Sequence, residues 1–264
     1  MEQLPPVVDP GAQAITPRMS LAGRMLNVIA TPGEVFEQVK TAPVRTANWL
    51  APACIVILLS WLGSWLVFSQ PAIQQQVREM TDQAIDKQVQ SGKLTQQQAE
   101  QAREIAAKVG GMFTKAAAYG APVVVALVFP FWWGLIIWLV GTKAMPGDFG
   151  YMKAVEVAGL AGIIGAIDAI VRTLLILITG SLFASPSLAL LVKQFDPQNP
   201  AHALLAVFSI MSFWVLGVRS IGLARLAGST FAKAAAWVFG FWLLQTALLS
   251  GLSFAIQRLA AHRA

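Results

Sequence analysis

The chain has 264 residues, of which 56% are apolar and 12% charged, with a formal net charge of +6. A soluble domain carries about twice that charge fraction, so the composition excludes an ordinary globular fold and points to helices that cross a bilayer. The basic residues are dispersed without a cluster, which argues against a nucleic-acid partner, and the single Cys54 rules out a disulfide framework or a Cys-based metal site.

Residues 1–18 are Pro-rich and lack the basic and apolar regions of a cleavable signal peptide, so they read as a flexible tail. Residues 19–47 form a cytoplasmic amphipathic segment. Within it, TPGEVFEQVK predicts a short helix with Thr31 as N-cap, Pro32 at the first helical position and Glu34 completing a capping box. Val35, Phe36 and Val39 supply one apolar side, which places this helix at the membrane interface.

Residues 48–257 form the membrane domain, with five stretches that can each supply the roughly 20 helical residues a bilayer core requires. They are 48–68, 117–141 (bent at Pro122 and Pro130), 154–183, 201–224 and 234–257, followed by a tail at 258–264. Cys54 reads as a small buried packing residue. The fold class is therefore all-α: a polytopic membrane helical bundle with an extracytoplasmic helical hairpin.

That hairpin occupies residues 70–115. Ile73, Val77, Met80, Ala84 and Ile85 repeat at helical spacing; after the turn SGKL, Thr95 can cap a second helix carrying Ala99, Ala102, Ile105, Ala106 and Val109. The apolar stripe is thin, so the hairpin reads as a solvated connector, with a partner protein or the membrane surface as the alternative that completes it.

Counting Lys and Arg orients the chain. With the N-terminus inside, Arg18, Arg24, Lys40, Arg45, Lys143, Lys153, Arg225 and Lys233 lie in the cytoplasm, against Lys193, Arg258 and Arg263 outside. The hairpin's own basic residues are nearly balanced by acids and count less in a long loop. The bias predicts the N-terminus in and the C-terminus out.

Polar residues inside the spans are the candidate functional groups. Asp168 and Arg172 lie one turn apart on a stripe with Ala161 and Gly165 in GLAGIIGAIDAIVRTLLILITG. Small residues on that face suit a close helix contact, so the pair is expected to face protein and orient the third span. Glu156 and Arg219 are placed near the same end of two antiparallel spans and are expected to bond across them. Gln245, Ser209 and Ser212 are further polar candidates for packing between helices. Only His202 and His262 are present, and no HExxH, GxSxG, Walker or GxGxxG pattern occurs; no catalytic, cofactor or metal site is expected.

MLNVIATPGEVFEQVKTAPVRTANWLAPACIVILLSWL resembles the beginning of the Yip family of multipass membrane proteins, in its bacterial branch, with Pro32, Phe36, Pro43 and Pro52 in the family's pattern. GDFGYMKAVEVAG is similar to the family's approach to the third span. Trp214, Gly217, Lys233 and Ala234 match its late Trp-Leu-x-x-Gly and Lys-Ala stretch. The resemblance implies five spans and a cytoplasmic N-terminus. It links eukaryotic members to Rab-type GTPases in vesicle traffic, but this chain lacks that branch's Asp-Leu-Tyr-Gly-Pro-Leu-Trp signature.

Two functions fit. One is a non-enzymatic scaffold or accessory factor in the cytoplasmic (inner) membrane, meeting a protein partner or a second copy through the amphipathic segment, the hairpin or small-residue helix faces. The other is a small-solute or ion transporter, or a subunit of one, using Asp168, Arg172, Glu156, Arg219 and Gln245 along a polar path. A hydrated cavity lined by these residues would favour transport; a closed interior would favour the scaffold.

Overall fold

The computed structural model describes residues 19–192, 195–196 and 199–262. The expected tail 1–18, Lys193 and residues 263–264 lie outside the described residues. Within them, helices and turns make up the chain, apart from one isolated antiparallel bridge between Ser187 and Ser209. Five helices are long and apolar enough to cross a membrane: Ala47–Phe68, Gly111–Ala144, Tyr151–Thr179, Ile210–Ala227 and Phe231–Leu252.

Two short helices precede the first span. Helix α1 (Leu21–Ala30) starts at Ser20, whose hydroxyl accepts from the amide of Gly23. Helix α2 (Pro32–Thr41) follows after one residue. The capping box expected at Thr31 does not form, because α1 ends immediately before it. The Thr31 hydroxyl donates backwards to the carbonyl of Asn27 and closes α1 instead. Nor does α2 rest on the surface by an apolar side: Val35, Phe36 and Val39 are fully buried in the main core, and α2 packs on the fourth span.

The first span is α3 (Ala47–Phe68). Helix α4 (Pro71–Gln90) and helix α5 (Gln96–Ile105) then form the expected hairpin. Thr95 caps α5 with a complete capping box, its hydroxyl accepting from Gln98 N while the Gln98 side chain accepts from Thr95 N. A π-turn at Ala106–Gly110 joins α5 directly to α6 (Gly111–Leu139), so the second hairpin arm and the second span are one continuous rod. Pro122 and Pro130 lie inside α6 without ending it. A second π-turn, Val140–Ala144, closes the span.

The third span is built from α7 (Tyr151–Ala161) and α8 (Ile164–Thr179), jointed at Gly162 and Ile163. The stretch expected as one fourth span divides into α9 (Pro200–Val207) and α10 (Ile210–Ala227). The break is held by distant backbone: Leu188 N bonds Phe208 O and Ile210 N bonds Pro186 O, both at 3.1 Å. Ser209 caps α10. Helix α11 (Phe231–His262) continues past 257 into the expected tail.

Helix α7 is the centre of the bundle, buried on every side from Ala154 to Ala161, as a helix apolar all round except for one residue, Glu156, must be. Small residues let its neighbours approach. A methyl group on Gly159 would overlap Cα and Cβ of Trp49 on α3. Gly134 of α6 sits against the Val155 backbone, and Gly222 of α10 against the Val157 side chain. Close backbone approach of this kind is how membrane helices gain packing energy where no hydrophobic force separates protein from lipid. Cys54, expected to be buried, is exposed on the outer side of α3; its helical register, not its small size, decides its surroundings.

Candidate functional site

The most densely bonded polar cluster surrounds Glu156, which is 0% exposed near the start of α7. Its Oε1 accepts from Asn48 Nδ2 at 2.6 Å and from the backbone N of Arg45 at 2.8 Å. Its Oε2 pairs with Lys153 Nζ at 2.9 Å, one turn earlier. Asn48 in turn accepts, through Oδ1, from Arg24 Nη1 at 3.0 Å. Lys153 also donates to the carbonyls of Val39 and Ala42 at the C-terminus of α2, where a cation complements the helix dipole. A buried carboxylate is tolerable only when its charge is answered; here Lys153 answers the charge and two donors meet Oε1, while Oε2 has the ion pair and no hydrogen bond. The cluster clamps α1, α2, α3 and α7 together; its carboxylate is committed to structure and presents no open position to a substrate.

Arg219 takes no part. It is 7% exposed and its guanidinium carbon lies 4.4 Å from the centre of the Trp133 ring, a cation–π contact. The expected Glu156–Arg219 bond is thus replaced by two separate arrangements. The cause is the break before α10. Because the span runs 210–227 instead of 201–224, Arg219 lies about 12 Å from its end, near mid-membrane, while Glu156 lies only about 8 Å into its own span.

Asp168 and Arg172 do pair, Oδ2 to Nη2 at 3.5 Å. The face is only partly inward: the Arg172 side chain is half exposed, at 50%, while Asp168 is more covered. Gly165 on the same stripe meets Val56 of α3, as a small-residue contact face should. Gln245 accepts from Trp132 Nε1 at 3.3 Å, tying α11 to α6. Phe241 packs against both Trp132 and Trp133, so an aromatic set stands between Gln245 and Arg219. Ser209 is buried as a helix cap, not as a contact between spans.

The five candidates therefore fall into separate places: a clamp at the end where the first span begins, an aromatic-bound cation near the middle, and an ion pair toward the hairpin end. The grooves lie elsewhere. One runs between α2 and α10, bounded by Gly33, Glu37, Lys40, Arg225 and Ser229; another lies under the hairpin, with Phe68, Arg78 and Lys115 in its wall. Among the described residues no group of three His, Cys, Asp or Glu could hold a metal ion. Sequence reasoning missed Arg24, Asn48 and Lys153 as site residues. Asn48 at the head of an apolar run was the available signal, since an amide there needs a partner.

Five apolar helices, with the buried α7 segment of the third at their centre, define a polytopic α-helical membrane protein. The chain belongs to the Yip family: the Yip1 domain matches residues 26–252, from within α1 into α11. Comparison with curated proteins and with solved structures gives no match.

Proposed function

We propose that this Yip-family chain is a non-enzymatic scaffold or accessory factor of the bacterial type, seated in the cytoplasmic membrane with its N-terminus inside and its C-terminus outside. The observation that carries the reading is the use made of intramembrane polar groups. Glu156 is consumed by Asn48, Arg45 and Lys153, Arg219 by Trp133, Gln245 by Trp132, and Asp168 by Arg172. All but the Asp168–Arg172 pair, which lies within α8, join elements, and none of the grooves described above is lined by any of them. A transport path would instead gather such groups around shared water. The distribution of Lys and Arg between the loops supports the orientation.

Two experiments test this. Purification in mild detergent is expected to bring down a stoichiometric partner chain or a second copy; a strictly solitary protein whose hairpin can be deleted without effect in cells overturns the scaffold reading. Reconstituted vesicles are expected to show no solute or ion flux that disappears in Asp168→Asn; such a flux overturns it in favour of transport. For the orientation, a Ser91→Cys substitution at the hairpin tip in a Cys54→Ala background is expected to react with a membrane-impermeant maleimide on spheroplasts. Labelling only after lysis reverses the topology.

A further inference from the structure

We propose that the base of the hairpin is a binding site for an anionic glycerophospholipid of the adjoining leaflet, with its phosphate between α4 and α6 and an acyl chain along the outer face of α6. This goes beyond the scaffold reading and does not depend on it. The two arms pack at the tip, where Ile85 and Ala99 are buried. At the base they part around a cavity of about 430 Å³, within the size range of small-molecule sites. The π-turn Ala106–Gly110 stands opposite α4 there; the extra residue in such a turn rotates the helix beyond it. The expected stripe is kept by Ala99, Ala102 and Ala106 but not by its larger members: Ile105 and Val109 face outward, and beyond the turn Met112 and Phe113 are 72% and 73% exposed.

Depth puts this cavity at the headgroup layer. Trp61 Nε1 donates to Tyr119 O at 2.8 Å and Ser64 Oγ to Ala118 O at 3.3 Å, which fixes α3 against α6. Lys115 is then about 5 Å further out than Ala118, level with Phe68, where α3 ends. Phe68 and Lys115 both line the cavity. Exposed Met112 and Phe113 at the same level suit the boundary between acyl chains and headgroups.

The lining has the chemistry of a phosphodiester site. Arg78 from α4 and Lys115 from α6 face the cavity, and neither has a hydrogen bond or ion pair among the described residues. Arg103 is held by Asp86. Asp82 is the carboxylate in the wall and lies beside Thr81. A polyol headgroup answers both signs, its phosphate meeting Arg78 and Lys115 while its hydroxyls donate to Asp82. A second groove shares Ala107, Gly111 and Lys115 with the first, then continues past Lys108 and Met112 to Tyr119. The two make one track from the hairpin base onto the outside of α6, charged at one end and apolar at the other. Gly111 lies on that track, and a Cβ there would meet nothing within 4 Å.

The test uses the full chain in detergent, titrated with phosphatidylglycerol or with phosphatidylcholine of the same acyl chains and read by native mass spectrometry. Phosphatidylglycerol is expected to bind more tightly, and Arg78→Gln/Lys115→Gln to weaken it about tenfold or more, since each cation near an anionic lipid contributes substantially. Gly111→Leu, which leaves every charge in place and fills open space, is expected to weaken it comparably. Lys93→Gln, which removes a hairpin charge away from the cavity, is expected to behave as wild type. Equal binding of the two lipids, or wild-type binding by both site variants, overturns the proposal. So does displacement of the lipid by low-millimolar inorganic phosphate that also binds alone, which would make this a site for a free small anion.

Discussion

Removing the Glu156 charge leaves the largely buried Lys153 without its carboxylate, whereas removing Asp168 leaves a half-exposed arginine that can reach the surface. Glu156→Gln is therefore expected to cost about 3 kcal/mol, as breaking a buried pair does. Asp168→Asn is expected to cost about 1 kcal/mol or less, as most polar contacts between membrane helices do. Unfolding in mixed micelles of detergent and denaturing surfactant reads both, and equal losses would show that the clamp is not what holds the bundle. Glycines divide in the same way. Gly159→Ala drives a methyl group into the Trp49 backbone and is expected to cost about 2 kcal/mol, while Gly217→Ala enters open space and is expected to be neutral. The Asp168–Arg172 pair was legible in the sequence because both residues sit on one helix, where spacing alone sets their distance. The bonds of Glu156 to Asn48 and to the Arg45 amide were not, since these residues reach it only when α3 packs against α7, more than a hundred residues on, and Arg24 joins through Asn48.

Helical caps separate what a motif promises from what its neighbours permit. Thr95 and Thr31 both begin sequences that suit a capping box, yet only Thr95 makes one. Thr95→Ala is expected to cost about 1 kcal/mol of local stability and Thr31→Ala less than half of that, read as hydrogen-exchange protection in α5 and α2. The π-turn is a second element-scale device. Deleting Ala107 is expected to restore α-helical phasing and turn α5 by about 100° relative to α6, pulling Ala99 away from α4. Limited proteolysis would then cut the hairpin faster, and an unchanged digestion pattern would show that the π-turn does not set the register. The existence of the five spans was legible because length and apolarity suffice to define them. The fourth span's true start was not, because the break at Phe208 is held by the backbone of Pro186 and Leu188, some twenty residues away. Helix α1 was not legible for a similar reason: its buried face includes Arg24, which the sequence offers only as a cytoplasmic charge.

At the scale of the molecule, the segment ahead of the first span is an internal part of the bundle. Phe36→Ala is expected to lose about 3 kcal/mol, with no detachable membrane-surface function, whereas Leu26→Ala at an exposed position is expected to be silent; thermal denaturation in detergent distinguishes them. The seat of Phe36 is made partly by Gly222 of α10. This has a consequence for synthesis. The residues that leave the ribosome first are among the last to find their place, because their site does not exist until the fourth span has been inserted. A nascent chain halted before Gly222 must carry Val35, Phe36 and Val39 unsheltered, so such truncations should be rapidly degraded while the finished chain persists.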